Sequence, residues 1–222
     1  MLTVHHLGRA QSERIVWLCE ELELPYRLIR YERDPVTILS PPELKALHPI
    51  GSAPLLEDEG GVLLAESGAI VEYILAKYGR GWLAIAADDP GFADYLYWLH
   101  FANGTLQPAM GRNMILSRLD LAAEHPLARA MRGRLDRALR LMNDRLAAAP
   151  WLAGERFTAA DIMTVFSLTT MRLYYPADLS PYPAILAYLQ RVGARPAYQR
   201  AMAKGDPGFA PMLGPQAAPS SP

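Results

Sequence analysis

The sequence predicts an α/β unit followed by an all-α unit, and three observations carry that reading. Short β-like runs alternate with helical ones over fewer than 80 residues, in the order β-α-β-α-β-β-α. Between residues 79 and 90 the character changes, with glycines and the run AADDP. Beyond it every periodic stretch is helical, which is a two-domain pattern.

Residues 2–7 read as a strand, and 12–23 as a helix with Ile15, Val16, Leu18, Cys19 and Leu22 on one face. Leu24-Pro25 stops that helix, because proline disfavours helical dihedrals in the residue before it. A second strand over 26–31 completes a β-α-β unit, which favours parallel strands with a right-handed crossover. A short helix opens at Pro41-Pro42, and 53–56 and 62–64 flank the turn EDEGG as a hairpin. Residues 67–78 form the next helix, with Ile70, Val71, Ile74 and Leu75 inward. Residues 94–117, 126–149, 158–174 and 183–204 are helical in period, the last interrupted at Pro196. The expected boundaries are therefore 1–79, a linker at 80–89, a helical domain at 90–204 and a proline-rich tail at 205–222, packed only in its first part.

Composition narrows the function. Of 222 residues, 51% are hydrophobic and 20% charged, enough apolar surface for a sizeable core. Lys plus Arg is 22 and Asp plus Glu 23, for a net charge of −1, so no basic field is available to hold nucleic acid or an anionic membrane. No apolar run approaches the roughly 18 residues that span a bilayer. The start, MLTVHHLGRAQSER, turns polar after four residues and is not expected to be a secretory signal. The single cysteine, Cys19, is expected in the core; it calls for no oxidising compartment, and a cytoplasmic location is expected. No Cys-x-x-Cys is present, and the five histidines lack metal-ligand spacing, so no metal is expected.

Four local signals bear on chemistry. In FTAAD, Thr158 and Asp161 form a capping box that starts a helix and does no chemistry. At Glu66-Ser67 a helix begins, where exposed N–H groups and a serine hydroxyl suit a carboxylate and Glu66 an ammonium; plain capping by Ser67 is the other reading. Ala53-Pro54 opens a strand, and a cis bond there would turn the amide and carbonyl of Ala53 toward a peptide ligand, although local sequence favours trans. The turn Gly8-Arg9-Ala10-Gln11-Ser12 lies at the carboxyl end of the first strand, a common ligand position, where Arg9 attracts an anion and Ser12 donates to one, or caps the helix.

These signals, in this order, resemble the soluble glutathione transferases over roughly residues 2–205. RIVWLCEELELPY is similar to the family's first helix and second strand, HPIGSAPLL to its cis-proline strand, ESGAIVEYI to its glutamate-serine helix start, GERFTAADI to its capped C-terminal helix, and YPAILAYLQRVGARPAYQRA to its penultimate helices. The resemblance implies an α/β thioredoxin-like domain followed by an all-α helical domain, usually in a homodimer. It implies a cis Pro54, Ala53 pairing with the cysteinyl part of glutathione, and Glu66 and Ser67 holding its γ-glutamyl end. Ser52 stands where the family commonly has lysine, two residues before that proline. Ala10 stands where many members have the serine or cysteine that supports the thiolate, leaving backbone amides with Ser12 or Arg9 as the catalytic candidates.

The resemblance further implies glutathione as co-substrate and a small apolar electrophile held between the domains. Phe101, Met110, Asn113, Tyr174 and Tyr175 are the expected lining residues, with core packing the competing reading for each. A glutathione transferase is the leading function. A glutathione-dependent peroxidase or reductase on the same fold, and a non-catalytic glutathione- or protein-binding module, are the alternatives. No nucleic-acid or membrane partner is expected.

Overall fold

The computed structural model describes residues 1–119 and 124–216. In chain order the elements are β1 (Leu2–Leu7), α1 (Glu13–Glu21), β2 (Tyr26–Tyr31), the short α2 (Pro42–Lys45), β3 (Leu55–Asp58), β4 (Val62–Ala65) and α3 (Ser67–Tyr78). There follow α4 (Phe92–Phe101), α5 (Gln107–Leu116), α6 (Pro126–Ala148), α7 (Ala159–Leu168), α8 (Pro183–Gly193) and α9 (Pro196–Gly205). They form two compact units: Met1–Ala84 with Ala194–Pro211, and Ile85–Gly193 with Met212–Pro222, of which residues 212–216 are described.

The first unit is built on a mixed sheet of order β2-β1-β3-β4. β1 pairs parallel with β2, from Leu2 opposite Tyr26 to Leu7 opposite Tyr31, as the β-α-β reading requires. β3 runs antiparallel to β1, with His5 opposite Leu55, and β4 returns antiparallel to β3. Every residue of β1 is buried, which suits a central strand. The β3–β4 connection passes through Gly60 and Gly61 at φ 77° and 79°, a left-handed backbone that glycine adopts without steric cost.

The carboxylate of Asp58, at the end of β3, fixes this hairpin to α3. It accepts from the Tyr73 and Tyr78 hydroxyls at 2.8 and 2.6 Å, Lys77 Nζ at 2.6 Å and the Glu59 amide at 2.7 Å. The sequence places α9 with the helical domain, whereas in the structure it packs on α1. Glu20 accepts from Arg200 Nε at 2.9 Å and Lys204 Nζ at 2.5 Å, and both oxygens of Glu21 take the Arg195 fork at 2.7 Å.

In the second unit α4 packs on α7, α5 on α6 and α6 on α8. The expected helix over 94–117 is interrupted by a π turn at Ala102–Leu106, where the Gln107 N–H reaches back to the Ala102 carbonyl. Pro108 explains it: the ring has no N–H to give and crowds the carbonyl four residues earlier, and a wider turn relieves both. The helix expected over 158–174 ends at Leu168, and Thr170–Leu173 continue as a 3-10 turn. The capping box is present: Asp161 Oδ2 takes the Thr158 N–H at 2.9 Å, and Thr158 Oγ1 takes the Ala160 N–H at 3.3 Å.

Gly214 and Pro215 of the proline-rich tail are held by Arg172, whose buried guanidinium donates to their carbonyls at 2.9 and 2.6 Å and to that of Ala177 at 3.0 Å. Residues 217–222 of that tail lie outside the described residues.

Candidate functional site

Three segments of the first unit converge on one region. Ala10, from the β1–α1 turn, and Ala53, from the entry to β3, share one buried apolar cluster with Leu7, Leu44 and Leu55. The Ala53-Pro54 peptide bond is cis, as the family resemblance implies and against the local-sequence preference. Among the described residues, neither the N–H nor the carbonyl of Ala53 makes a hydrogen bond. Ala53 therefore carries one free donor and one free acceptor, the complement of an extended peptide.

Ser67 opens α3 and is buried, while Glu66 before it is exposed at φ 70° and ψ 114°. A left-handed glutamate costs about 1–2 kcal/mol and is held only where its surroundings fix it. One support is Arg14 of α1, fully buried, whose Nη1 donates to Ser67 Oγ at 3.2 Å. Burial pulls the Arg14 guanidinium down to about 9, opposed by the charge of Glu13, so it stays a cation at neutral pH. A cation and the amino end of a helix thus lie behind Ser67, and both favour an anion there.

The β1–α1 turn is the third segment. Arg9 is also left-handed, at φ 52°. Its N–H donates to Asp206 Oδ1 at 2.8 Å, and its carbonyl accepts from Arg33 Nη2 at 3.2 Å. Ser12 is wholly buried: its Oγ takes the Leu7 N–H at 3.2 Å and lies 2.9 Å from His6 Nδ1. The hydroxyl joins the end of β1 to the start of α1, and this position gives it a structural task. The backbone N–H groups of Ala10 and Ser12 have no hydrogen-bond partner among the described residues.

Ser52 is half-buried at the bend before Ala53. Cys19 is buried, and burial, reinforced by Glu20, pushes its thiol up to about 12, which makes it a core residue and not a nucleophile.

These features match a known family along most of the chain. Residues 1–76 fit the family model described as glutathione S-transferase, N-terminal domain, and 125–191 the corresponding C-terminal domain. Glutathione S-transferase 3 of Schizosaccharomyces pombe is 30% identical over 216 residues, covering 92% of this chain and 88% of that one. The chain belongs to the glutathione S-transferase family. At the same 30% identity lies the Escherichia coli disulfide-bond oxidoreductase YfcG, over 94% of this chain and 97% of that protein. A crystal structure of a glutathione S-transferase from Actinobacillus pleuropneumoniae superposes with a TM-score of 0.85 at 32% identity, over 95% and 97% of the two chains. The thioredoxin-like fold followed by an all-α domain is the fold of this transferase family.

The candidate electrophile-lining residues all lie in the second unit. Phe101 and Met110 are buried in the helical core, where Phe101 packs edge-on against Trp98 at 4.9 Å. Asn113 is also buried, and its amide donates to the Ala109 and Met131 carbonyls at 2.9 and 3.1 Å, joining α5 to α6. Tyr174 and Tyr175 are half-buried. Asn113 and Tyr175 meet in a cavity of about 230 Å³ that Leu116, Ala128 and Arg132 also line. Burial raises the Tyr175 phenol, with the charge of Arg132 opposing.

Two contributors to the turn, Arg33 and Asp206, were not singled out by sequence. Asp206 lies 197 residues from Arg9, and no local pattern signals their contact. Among the described residues no group of three His, Cys, Asp or Glu side chains could hold a metal ion, and no helix is long and apolar enough to cross a membrane.

Proposed function

We propose that the protein is a glutathione transferase that binds glutathione through Ala53 and Ser67 and activates its thiol at the β1–α1 turn. The observation that carries this reading is the free peptide edge of Ala53, packed in one cluster with Ala10 of that turn. Ala53 pairs with the cysteinyl backbone, with Ser52 and Pro54 shaping the approach. Ser67 and the start of α3 take the γ-glutamyl carboxylate, and Glu66 its ammonium.

A free thiol has a pKa near 8.5 and is only a few per cent ionised at neutral pH. Lowering it by roughly two units needs about 2.7 kcal/mol of selective thiolate stabilisation. With Ala10 in place of a hydroxyl, the unpartnered Ala10 and Ser12 amides are the donors at hand, at the positive end of α1. Arg9 adds a cation nearby, and Ser12 acts by holding the turn.

The thiolate then attacks a small apolar electrophile, for which Asn113, Tyr174 and Tyr175 remain candidate lining, while the burial of Phe101 and Met110 in the helical core favours the packing reading for those two. The reading extends to a cytoplasmic homodimer. A glutathione-dependent reductase is the second reading, favoured by the disulfide-bond oxidoreductase among the relatives. With Cys19 buried, such an activity would use glutathione's own sulfur.

Retention on immobilised glutathione, followed by turnover of an aromatic halide, tests the first reading. Turnover only of hydroperoxides or mixed disulfides would replace it with the second. Retention with no turnover would leave a binding module.

A further inference from the structure

Below the β1–α1 turn lies a buried polar chain that neither thiolate stabilisation nor glutathione binding by itself requires. Asp206 follows directly on Gly205, the last residue of α9. One carboxylate oxygen, Oδ1, accepts the Arg9 N–H at 2.8 Å. The other, Oδ2, lies 3.4 Å from His6 Nε2, and His6 Nδ1 lies 2.9 Å from Ser12 Oγ. Asp206, His6 and Ser12 are all buried. Gly205 permits this approach, since a Cβ there would press on His6 Nε2 at 3.2 Å.

The same turn is gripped from the opposite side by Arg33, beyond the end of β2. Its Nε donates to the Gly8 carbonyl at 3.1 Å and its Nη2 to the Arg9 carbonyl at 3.2 Å. The peptide between Gly8 and Arg9 thus has a cation on its oxygen and an anion on its N–H. The next peptide has the same cation on its oxygen and, on its other side, the unpartnered Ala10 N–H. Hydrogen bonds in series polarise one another, so a charge-assisted bond to the Arg9 carbonyl makes the Ala10 N–H a stronger donor. The left-handed Arg9 is the conformation that this grip holds.

We infer that Asp206 is a positioning residue which, opposite Arg33, clamps Arg9 so that the Ala10 backbone N–H is fixed as the donor to the thiolate of glutathione. This rests on the transferase reading above, and it gives a physical reason why a chain with alanine at position 10 need not lose thiol activation. The donor is a backbone group, and its aim is set by a side chain from the far end of the chain. Asp206 itself touches no reacting atom.

The test uses the full-length protein and the variants Asp206→Ala and Asp206→Asn. Asparagine keeps an acceptor for the Arg9 N–H; alanine does not. The pKa of bound glutathione is read from thiolate ultraviolet absorbance, and affinity from calorimetry. In Asp206→Ala the bound thiol pKa is expected to rise by about one unit, with the dissociation constant at about pH 5.5, where the bound thiol is protonated in both proteins, within about twofold of the parent. Asp206→Asn is expected to restore the parent pKa. An unchanged pKa in Asp206→Ala overturns the inference, as does equal impairment of binding and pKa in both variants.

Amide hydrogen exchange at Arg9 and Ala10 in the ligand-free proteins separates this inference from the transferase reading. Faster exchange in Asp206→Ala alone supports the clamp even if the parent fails to bind glutathione. Equal exchange in all three proteins overturns it.

Discussion

Arg14 Nη1 donates to Ser67 Oγ across 3.2 Å, joining the first turn of α1 to the first residue of α3 inside the first unit. Both partners are buried, so the bond is not in competition with water. Arg14 also donates to Gln11 Oε1 at 3.3 Å, which ties the same guanidinium to the β1–α1 turn. The regions proposed to hold the γ-glutamyl end and the thiol of glutathione are thereby coupled through one side chain. Both bonds come from Nη1, and lysine keeps the charge while replacing the guanidinium by a compact ammonium on a different stem. A double-mutant cycle of Arg14→Lys and Ser67→Ala, followed by chemical denaturation, is expected to give a coupling of about 0.5–3 kcal/mol. Additive losses would show that the two residues act independently.

Ser12 is expected to behave as a structural residue. Removing its hydroxyl leaves the buried Leu7 N–H without its acceptor. Ser12→Ala should therefore cost about 1–3 kcal/mol of stability. Glutathione affinity and the pKa of the bound thiol should stay near the parent values. A large rise in that pKa with stability intact would instead make Ser12 the thiolate donor.

Asp58 predicts an acid dependence of stability. Burial alone would raise its carboxyl, but bonds from Lys77, Tyr78, Tyr73 and the Glu59 amide hold it well below the usual carboxylate range. A group depressed in the folded state contributes stability above its unfolded pKa, about 3.9, and loses it as pH falls toward the folded value. The parent should lose this contribution progressively below about pH 4. Asp58→Asn should be less stable at neutral pH and should flatten that acid limb. Parallel stability–pH curves for the two proteins would contradict this role.

The capping box of α7 makes a separable prediction. Thr158→Ala removes the acceptor of the Ala160 N–H and should cost about 0.5–2 kcal/mol, measured by thermal or chemical unfolding. No change in glutathione affinity is expected, because the box, and the Leu152 N–H that Asp161 Oδ1 also accepts at 3.0 Å, lie within the second unit. A selective loss of binding with unchanged stability would give it a functional role.

Much of the fold was legible because local chemistry and tertiary packing agree. β1, β2 and α3 have the limits that periodicity assigns them, and the Thr158–Asp161 box is where its spacing placed it. The π turn before Gln107 was not legible, because the apolar period runs on through it and only Pro108 disturbs the backbone. Of the proposed site, Ala53, Pro54, Glu66 and Ser67 are singled out by the order of motifs, whereas local sequence prefers the trans bond that the structure does not have. Ser12 illustrates the limit: a hydroxyl in a turn reads as a donor until its burial beside His6 is known. Asp206 was invisible because its partner is 197 residues away.

Calorimetric titration of glutathione into the intact parent and Ser67→Ala proteins tests the central claim most directly. Saturable binding to the parent at one site per chain is expected, weakened about tenfold or more by loss of a charge-assisted hydrogen bond in the variant. Absence of binding to the parent, or equal affinity in the two proteins, would contradict it.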